Sequence, residues 1–340
     1  MPLAQLPLDC DADVIADWFE FYVLCSEFSF GPLRSLQRAW DKRKNAENAN
    51  PEGREEQDNS ADEMFLEEII QQFRERMDYL EGVYPFEFNE TGEELRIKEH
   101  LSDGAILYLF CLFLSNFQKS EIFELDKFSY DLPNRVRDLF GACSTWAAAA
   151  YLNGAAVAFG FPRPDGSPFL VKLRECYAFF GEGQVRDTPL PGVSTNPKDE
   201  GIDVIAWSPR FDNAPGKPYV LGQVASGGNW PNKSVKEYFR PFHENWFSEI
   251  PASDPVPALF IPFCIPLTGE ATLQQQLNIL TKRYGHVHYR YTIPRLAQNG
   301  LELAANNGDL VIERVDEMPE IKEWVDELII KLKGIAAARV

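Results

Sequence analysis

Asp203 and Gln223 are the two polar side chains of an otherwise apolar β-hairpin, and their oxygens could hold a ligand. They fall in two short apolar runs, 202–207 and 218–225, joined by a segment rich in turn-forming residues. An unpartnered polar side chain buried on an apolar strand costs about 1–3 kcal/mol. Glycines directly after the second run also allow a ligand to approach the backbone closely. The alternative is structural, with an acid at a strand start and a buried amide satisfied by the backbone.

Side chains alternate between the two faces of a strand, so Gln223 and Ala225 share one face of the second strand. We predict that the two runs are adjacent antiparallel strands. In that register, Asp203, Gln223 and Ala225 face one cleft.

This layout resembles the PD-(D/E)XK, or restriction-endonuclease-like, nucleases, and the Gly-Ile-Asp start and Gln variant are most similar to the Mrr-like branch. The family signature is an Asp on one strand, a hairpin, and then Glu-x-Lys or Gln-x-Lys on the next strand. The resemblance covers about residues 135–296. It implies a metal-dependent nuclease that hydrolyses DNA phosphodiesters with Mg²⁺ or Mn²⁺, in the setting of prokaryotic restriction or phage defence.

The resemblance also implies a set of metal ligands. Asp203 and Gln223 take the positions of the family's ligands, and the Val224 carbonyl is a candidate third. The acid that the family often carries on its first core helix falls at Gly141, and Glu182, in a glycine-rich turn, is a candidate replacement. Phosphodiester hydrolysis needs hard oxygen ligands of this kind for Mg²⁺.

The expected lysine of the signature is absent, because Ala225 stands at its position. Hydrolysis at neutral pH needs a positive group beside the attacking water. We therefore expect Lys233, or Lys236, to direct its ammonium toward the Asp203 cleft. Lys233 would then be the third catalytic residue beside Asp203 and Gln223.

The departures at Ala225 and Gly141 favour an alternative function. In that alternative, the chain is a catalytically inactive nuclease-fold subunit that binds nucleic acid or protein.

The net charge of −19 repels nucleic acid in general, so DNA binding depends on local basic patches. No acid occurs between Glu270 and Glu302, although four basic residues fall there. The candidate DNA-binding residues in and near this segment are Lys236, Arg240, Lys282, Arg283 and Arg290. Pairing of these residues with the abundant acids is the alternative.

Hydrophobic periodicity predicts two domains. Residues 1–130 form a mostly helical domain with a flexible polar loop near 43–62, which offers a surface for a protein partner. Residues 131–340 are predicted to form an α/β domain, and the family resemblance implies that its sheet is a restriction-endonuclease-like mixed sheet flanked by helices. Its predicted strands are 202–207, 218–225, 257–265 and 286–292. A helix is predicted from Arg135 to Tyr151, with Asn153-Gly154 after it, and the Ala-rich stretch from Ala142 to Phe161 fits a packed helix better than a membrane span.

The six cysteines are scattered and form no Cys-x-x-Cys pair, which indicates reduced core residues of a cytoplasmic protein. The N-terminus lacks the pattern of a signal peptide. The longest apolar run, Ala105 to Leu114, is too short to span a bilayer, so no membrane partner is expected.

Overall fold

The computed structural model of the chain describes residues 3–7, 10–47, 59–117, 122–124, 132–163, 165–194 and 197–337. The chain divides into two compact units. One comprises residues 1–132 with 320–340, and the other comprises residues 133–319. The division lies close to the predicted boundary at 130. The last helix, however, belongs to the first unit and not to the second domain as predicted, because its apolar side packs there.

The first unit is mostly helical and carries one small antiparallel sheet of order β1-β3-β2. Its elements are α1 (Ala12–Cys25), β1 (Phe30–Pro32), α2 (Leu33–Glu47), α3 (Asn59–Leu80), β2 (Phe86–Phe88), β3 (Glu94–Ile97), α4 (Asp103–Asn116) and the closing helix α10 (Met318–Ala337). The two ends of the predicted loop at 43–62 belong to α2 and α3. Its middle, residues 48–58, lies outside the described residues.

The second unit is a five-stranded mixed sheet flanked by helices, with the strand order β10-β9-β7-β6-β4. Its elements are α5 (Asn134–Leu152), β4 (Ala155–Ala158), α6 (Phe169–Phe180), β5 (Gln184–Val185), β6 (Val204–Trp207), β7 (Tyr219–Val224), α7 (Phe239–Trp246), β8 (Phe247–Glu249), β9 (Val256–Phe260), α8 (Leu273–Tyr284), β10 (His286–His288) and α9 (Ile293–Asn306). Strands β4, β6 and β7 pair antiparallel, whereas β9 and β10 continue the sheet in parallel. All four predicted strands are present, and each is shorter than predicted.

The predicted helix from Arg135 to Tyr151 is confirmed, because α5 spans Asn134–Leu152. The Ala-rich stretch is not helical as far as Phe161, because β4 follows α5. Asn153 adopts the left-handed conformation (φ 46°) that commonly ends a helix. A Cβ on Gly154 would lie 2.0 Å from the Trp207 carbonyl oxygen, so the chain can pass this close to β6 only with glycine. The alanines of β4 could form a helix or a strand, and they form a strand because they pair with β6.

The two faces of the sheet bury different helices. One face carries Tyr219 and Leu221 and packs against aromatic side chains of α6 and α7, such as Phe180 and Trp246. The opposite face packs against α5, which contacts β4 and β6 and is itself covered by α9. These two faces decide which side chains of the hairpin can meet.

Among the described residues, no helix is both long and apolar enough to cross a bilayer. Four of the six cysteines, at positions 25, 111, 143 and 176, are buried and unbridged. This agrees with their predicted place in the core.

Candidate functional site

The hairpin strands are irregular where Asp203 precedes β6. Val204 is the register partner of Gly222, yet the Asp203 backbone N–H also donates to the Gly222 carbonyl oxygen, at 2.8 Å. Two residues of one strand thus oppose one residue of the other, which is the geometry of a β-bulge. A bulge re-aims the side chain that it carries, here the Asp203 carboxylate.

The Asp203 carboxylate continues the sheet where the backbone ladder stops. Its Oδ2 accepts the Val224 N–H at 2.8 Å, so it occupies the place of a backbone acceptor. The backbone carbonyl oxygen of Asp203 accepts the N–H groups of Phe159 and Gly160, at 2.7 and 3.0 Å. A Cβ on Gly160 would lie 2.8 Å from Asp203 Oδ1, so the end of β4 presses directly against this carboxylate. These contacts fix Asp203 between β7 and the end of β4.

A cavity of about 520 Å³ opens beside this carboxylate, on the sheet face that carries α5. Its size falls in the usual range for small-ligand pockets. Four cations and three carboxylates are among the described residues that line it. The lining residues are Asn134, Arg135, Arg137, Asp138, Gly141, Ala158, Gly160, Phe161, Pro162, Asp199, Asp203, Val224, Ser226, Lys233 and Arg314.

Burial and the neighbouring Asp199 raise the pKa of Asp203 from 3.8 to about 6. The Val224 N–H and the positive charge of Lys233 oppose the rise without cancelling it. An acid with such a pKa exchanges protons near neutral pH, which is the property that a general acid or base needs.

Lys233 lies in the cavity, as the sequence had suggested for it or Lys236. Its ammonium lies 3.4 Å from the Val224 carbonyl oxygen, and it forms no ion pair with any other described residue. Lys236 points elsewhere, because its ammonium donates to the carbonyls of Thr281 and Lys282, at 3.2 and 2.8 Å. It thereby compensates the negative end of α8.

The cavity also contains residues that the sequence did not single out. Arg314 arrives from a segment that pairs with the outer edge of β4, and it donates to Asp138 at 2.8 Å. Arg135, which lies one turn before Asp138 on α5, donates to the same carboxylate at 2.6 Å. Helix α5 therefore does contribute an acid to the cavity, Asp138, although the sequence comparison placed the family's helix acid at Gly141, where it is missing. Asp138 precedes Gly141 by three residues and so lies on the same side of the helix, which is the one sequence signal for it.

Gln223 is not among the described residues that line the cavity, in contrast to the predicted cleft. Alternation along β7 places it on the face of Tyr219 and Leu221, whereas Val224 lies on the cavity side. Its Oε1 is buried and has no hydrogen-bond partner among the described residues. Ala225 is buried and shares the face of Gln223.

Glu182 is held far from Asp203. Its carboxylate accepts the N–H groups of Gly216 and Lys217, at 3.0 and 2.8 Å, just before β7 begins. The Asp203 carboxylate binds the backbone at Val224, seven residues farther along, which is roughly 23 Å for extended chain.

The predicted metal ligands therefore do not fit a divalent ion in this structure, because Gln223 and Glu182 lie away from Asp203. Within the described part of the chain, no group of three His, Cys, Asp or Glu side chains could hold a metal. The Val224 carbonyl contacts the Lys233 ammonium, which competes with a cation there.

The predicted DNA-binding residues are mostly engaged outside the cavity. Arg240 is exposed and pairs with Glu244 at 3.0 Å, and the Arg283 guanidinium donates to the Pro231 carbonyl at 3.0 Å. Lys282 is exposed at the end of α8. Arg290 is only 2% exposed and donates to the Cys264 sulfur, so its predicted role as a surface contact is wrong.

Comparisons of the chain with protein-family models, with curated proteins and with solved structures found no match.

Proposed function

We propose that the second unit is a restriction-endonuclease-like domain that binds a phosphodiester group of nucleic acid in the Asp203 cavity. One observation carries the proposal. In a chain of net charge −19, Arg135, Arg137, Lys233 and Arg314 line a single cavity. A local cluster of this kind allows an acidic protein to hold a polyanion.

The topology supports the family assignment. The chain runs from helix α5 through β4 and α6 to the β6–β7 hairpin, and then through helix α7 to the parallel strand β9. This order of helix, hairpin, helix and strand is consistent with the fold that the sequence resemblance implies. Asp203 also takes the place of the signature Asp at the start of the first hairpin strand.

The cations of the cavity are not equivalent. Arg135 and Arg314 are partly neutralised by Asp138, and Arg314 also binds Glu317 at 2.7 Å. Two arginines held by one carboxylate form a rigid donor surface. Lys233 forms no ion pair with a described residue, so its ammonium is more available to bind a phosphate than the paired guanidinium groups of Arg135 and Arg314.

We expect the Lys233→Met variant to bind a labelled DNA oligonucleotide about 10-fold more weakly, because it loses one charge-assisted phosphate contact. Fluorescence anisotropy at fixed ionic strength measures the affinity. Lys322→Met is the matched control, because Lys322 is an exposed lysine of α10 in the other unit. Equal binding by wild type and both variants would place the phosphate site outside this cavity.

Hydrolysis of the bound phosphodiester is the second candidate, and the raised pKa of Asp203 favours it. The ionised Asp203 carboxylate would accept a proton from the attacking water as its oxygen bonds to phosphorus, and Lys233 would neutralise charge that develops on the phosphate. The bond from phosphorus to the leaving sugar oxygen would break, and that oxygen would take a proton from solvent water or from the protonated Asp203. The predicted ligands of Mg²⁺ or Mn²⁺ are not assembled around Asp203.

Incubation with plasmid and with single-stranded DNA, in Mg²⁺ or Mn²⁺, tests this candidate. Cleavage by wild type that is lost in Asp203→Ala supports a nuclease. Binding without cleavage supports the inactive nuclease-fold subunit.

A further inference from the structure

A solvent-exposed aromatic ring stands at the edge of the Asp203 cavity. Phe161 lines the cavity and is 54% exposed, whereas Phe159, two residues earlier, and Phe169, at the start of α6, are buried. The Phe159–Phe169 pair already fills the core on the opposite sheet face. The exposed ring therefore contributes little to the core.

The loop that carries this ring is fixed to the site. The Gly160 N–H donates to the Asp203 backbone oxygen at 3.0 Å. On the other side, the Arg163 guanidinium donates to the carbonyls of Ser167 and Lys198, at 2.8 and 2.6 Å. The backbone on both sides of Phe161 is thus anchored, and Phe161 and Asp203 line the same cavity.

Two cations lie near the same ring. The Lys198 ammonium lies 5.6 Å from the ring centre of Phe161, and the Arg163 guanidinium carbon lies 5.9 Å from it. Both distances are within the range of a cation–π contact. The exposed part of the ring is therefore an apolar surface close to positive charge, and Lys233 lines the same cavity.

We infer that the ligand of the cavity is a single-stranded nucleic acid, one base of which stacks on Phe161 while its phosphate lies among the cavity cations. This rests on the proposed function. An aromatic ring beside a positive groove is how proteins hold single strands without reading their sequence. In a duplex, each base is already stacked, and unstacking it costs a few kcal/mol. The exposed ring therefore selects unpaired nucleotides.

Fluorescence anisotropy with three probes tests the inference. The probes are a labelled single-stranded DNA of roughly twelve nucleotides, which is within the usual site size, its duplex, and an abasic strand of the same length. The full chain is compared with Phe161→Ala and Phe161→Trp. Phe211→Ala is the matched control, because Phe211 is fully exposed in the β6–β7 loop.

Wild type should bind the single strand more tightly than the duplex or the abasic strand. Phe161→Ala should lose roughly 5- to 150-fold in affinity for the single strand, the equivalent of about 1–3 kcal/mol per stacked base. Its affinity for the abasic strand should be unchanged. Phe161→Trp and Phe211→Ala should bind as wild type does.

The inference and the proposed function fail in different ways. If Lys233→Met weakens binding but Phe161→Ala does not, the phosphate site stands and the stacking site is refuted. If Phe161→Ala loses the same affinity for the normal strand and for the abasic strand, the ring does not stack on a base and only supports the local protein structure. Wild type that binds none of the three probes refutes both.

Discussion

Protonation of Asp203 depends on where the hairpin places its carboxylate. Burial of the carboxylate and the nearby negative charge of Asp199 both penalise the ionised form, and burial has the larger effect. The Val224 N–H, which donates to the carboxylate, opposes them without cancelling them. The same residue in an unfolded chain would ionise with its ordinary pKa of 3.8.

This difference makes folding stability depend on pH. Between pH 3.8 and about 6, the folded protein binds more protons at Asp203 than the unfolded chain does. Its contribution to stability is therefore full below pH 3.8 and is lost as the pH rises through 6. We expect wild type to lose on the order of 1–3 kcal/mol relative to Asp203→Asn between pH 4 and pH 7. Urea unfolding at several pH values measures the free energy of unfolding of both proteins. If their difference does not change with pH, the pKa of Asp203 in the folded protein is the ordinary one.

At the scale of elements, the pairing of α5 with α9 sets the wall of the cavity. A Cβ on Gly300 of α9 would lie 2.1 Å from the Trp146 carbonyl oxygen of α5. The two helices therefore approach backbone to backbone at this point. Helix α5 carries Arg135, Arg137 and Asp138, so the approach fixes three cavity residues at once.

Helix propensity and packing give opposite expectations for Gly300→Ala. Propensity alone predicts stabilisation by up to about 1 kcal/mol. The contact with Trp146 predicts destabilisation, on the order of 3 kcal/mol, because the helices must separate. We expect packing to dominate in thermal unfolding. Gly334→Ala in α10 is the control, since nothing lies within 4 Å of its Cβ and propensity should make it stabilising. A stabilised Gly300→Ala variant would contradict the close approach.

At the scale of the whole molecule, the first unit is discontinuous in sequence. Residues 320–340 return to it after the entire second unit. Trp324 of α10 packs edge-on against Phe110 and Phe113 of α4, with ring centres 5.3 and 5.9 Å apart. These rings, with the buried Leu328 and Leu332, belong to one core.

Fragments of the chain should therefore behave unequally. We expect residues 133–319 to fold alone, because that fragment holds the complete mixed sheet. Residues 1–132 should lose cooperative unfolding, because removal of α10 uncovers the Phe110 region. Joining residues 320–340 to them through a Gly/Ser linker should restore it. Circular dichroism during heating measures the unfolding of all three fragments. If residues 1–132 alone unfold cooperatively at the midpoint temperature of the full chain, α10 is not needed for the first unit to fold.

The amino-acid sequence by itself determined the α/β class of the second unit and the existence of the hairpin, because both depend on local hydrophobic periodicity and turn residues. It also indicated Asp203 and Lys233, because an acid near the start of an apolar run and a lysine after a glycine-rich turn are both visible without a fold. Its restriction-endonuclease-like assignment, nuclease activity, DNA partner and phage-defence setting stay predictions.

Only the tertiary structure decided which side chains meet. A single bulge at Asp203 moved its carboxylate to the face of Val224, away from Gln223, because strand faces alternate with every residue. Arg314 reaches the cavity only because its segment pairs with β4, far away in sequence. Periodicity is a local property of the chain, whereas strand register and edge pairing depend on contacts between distant segments.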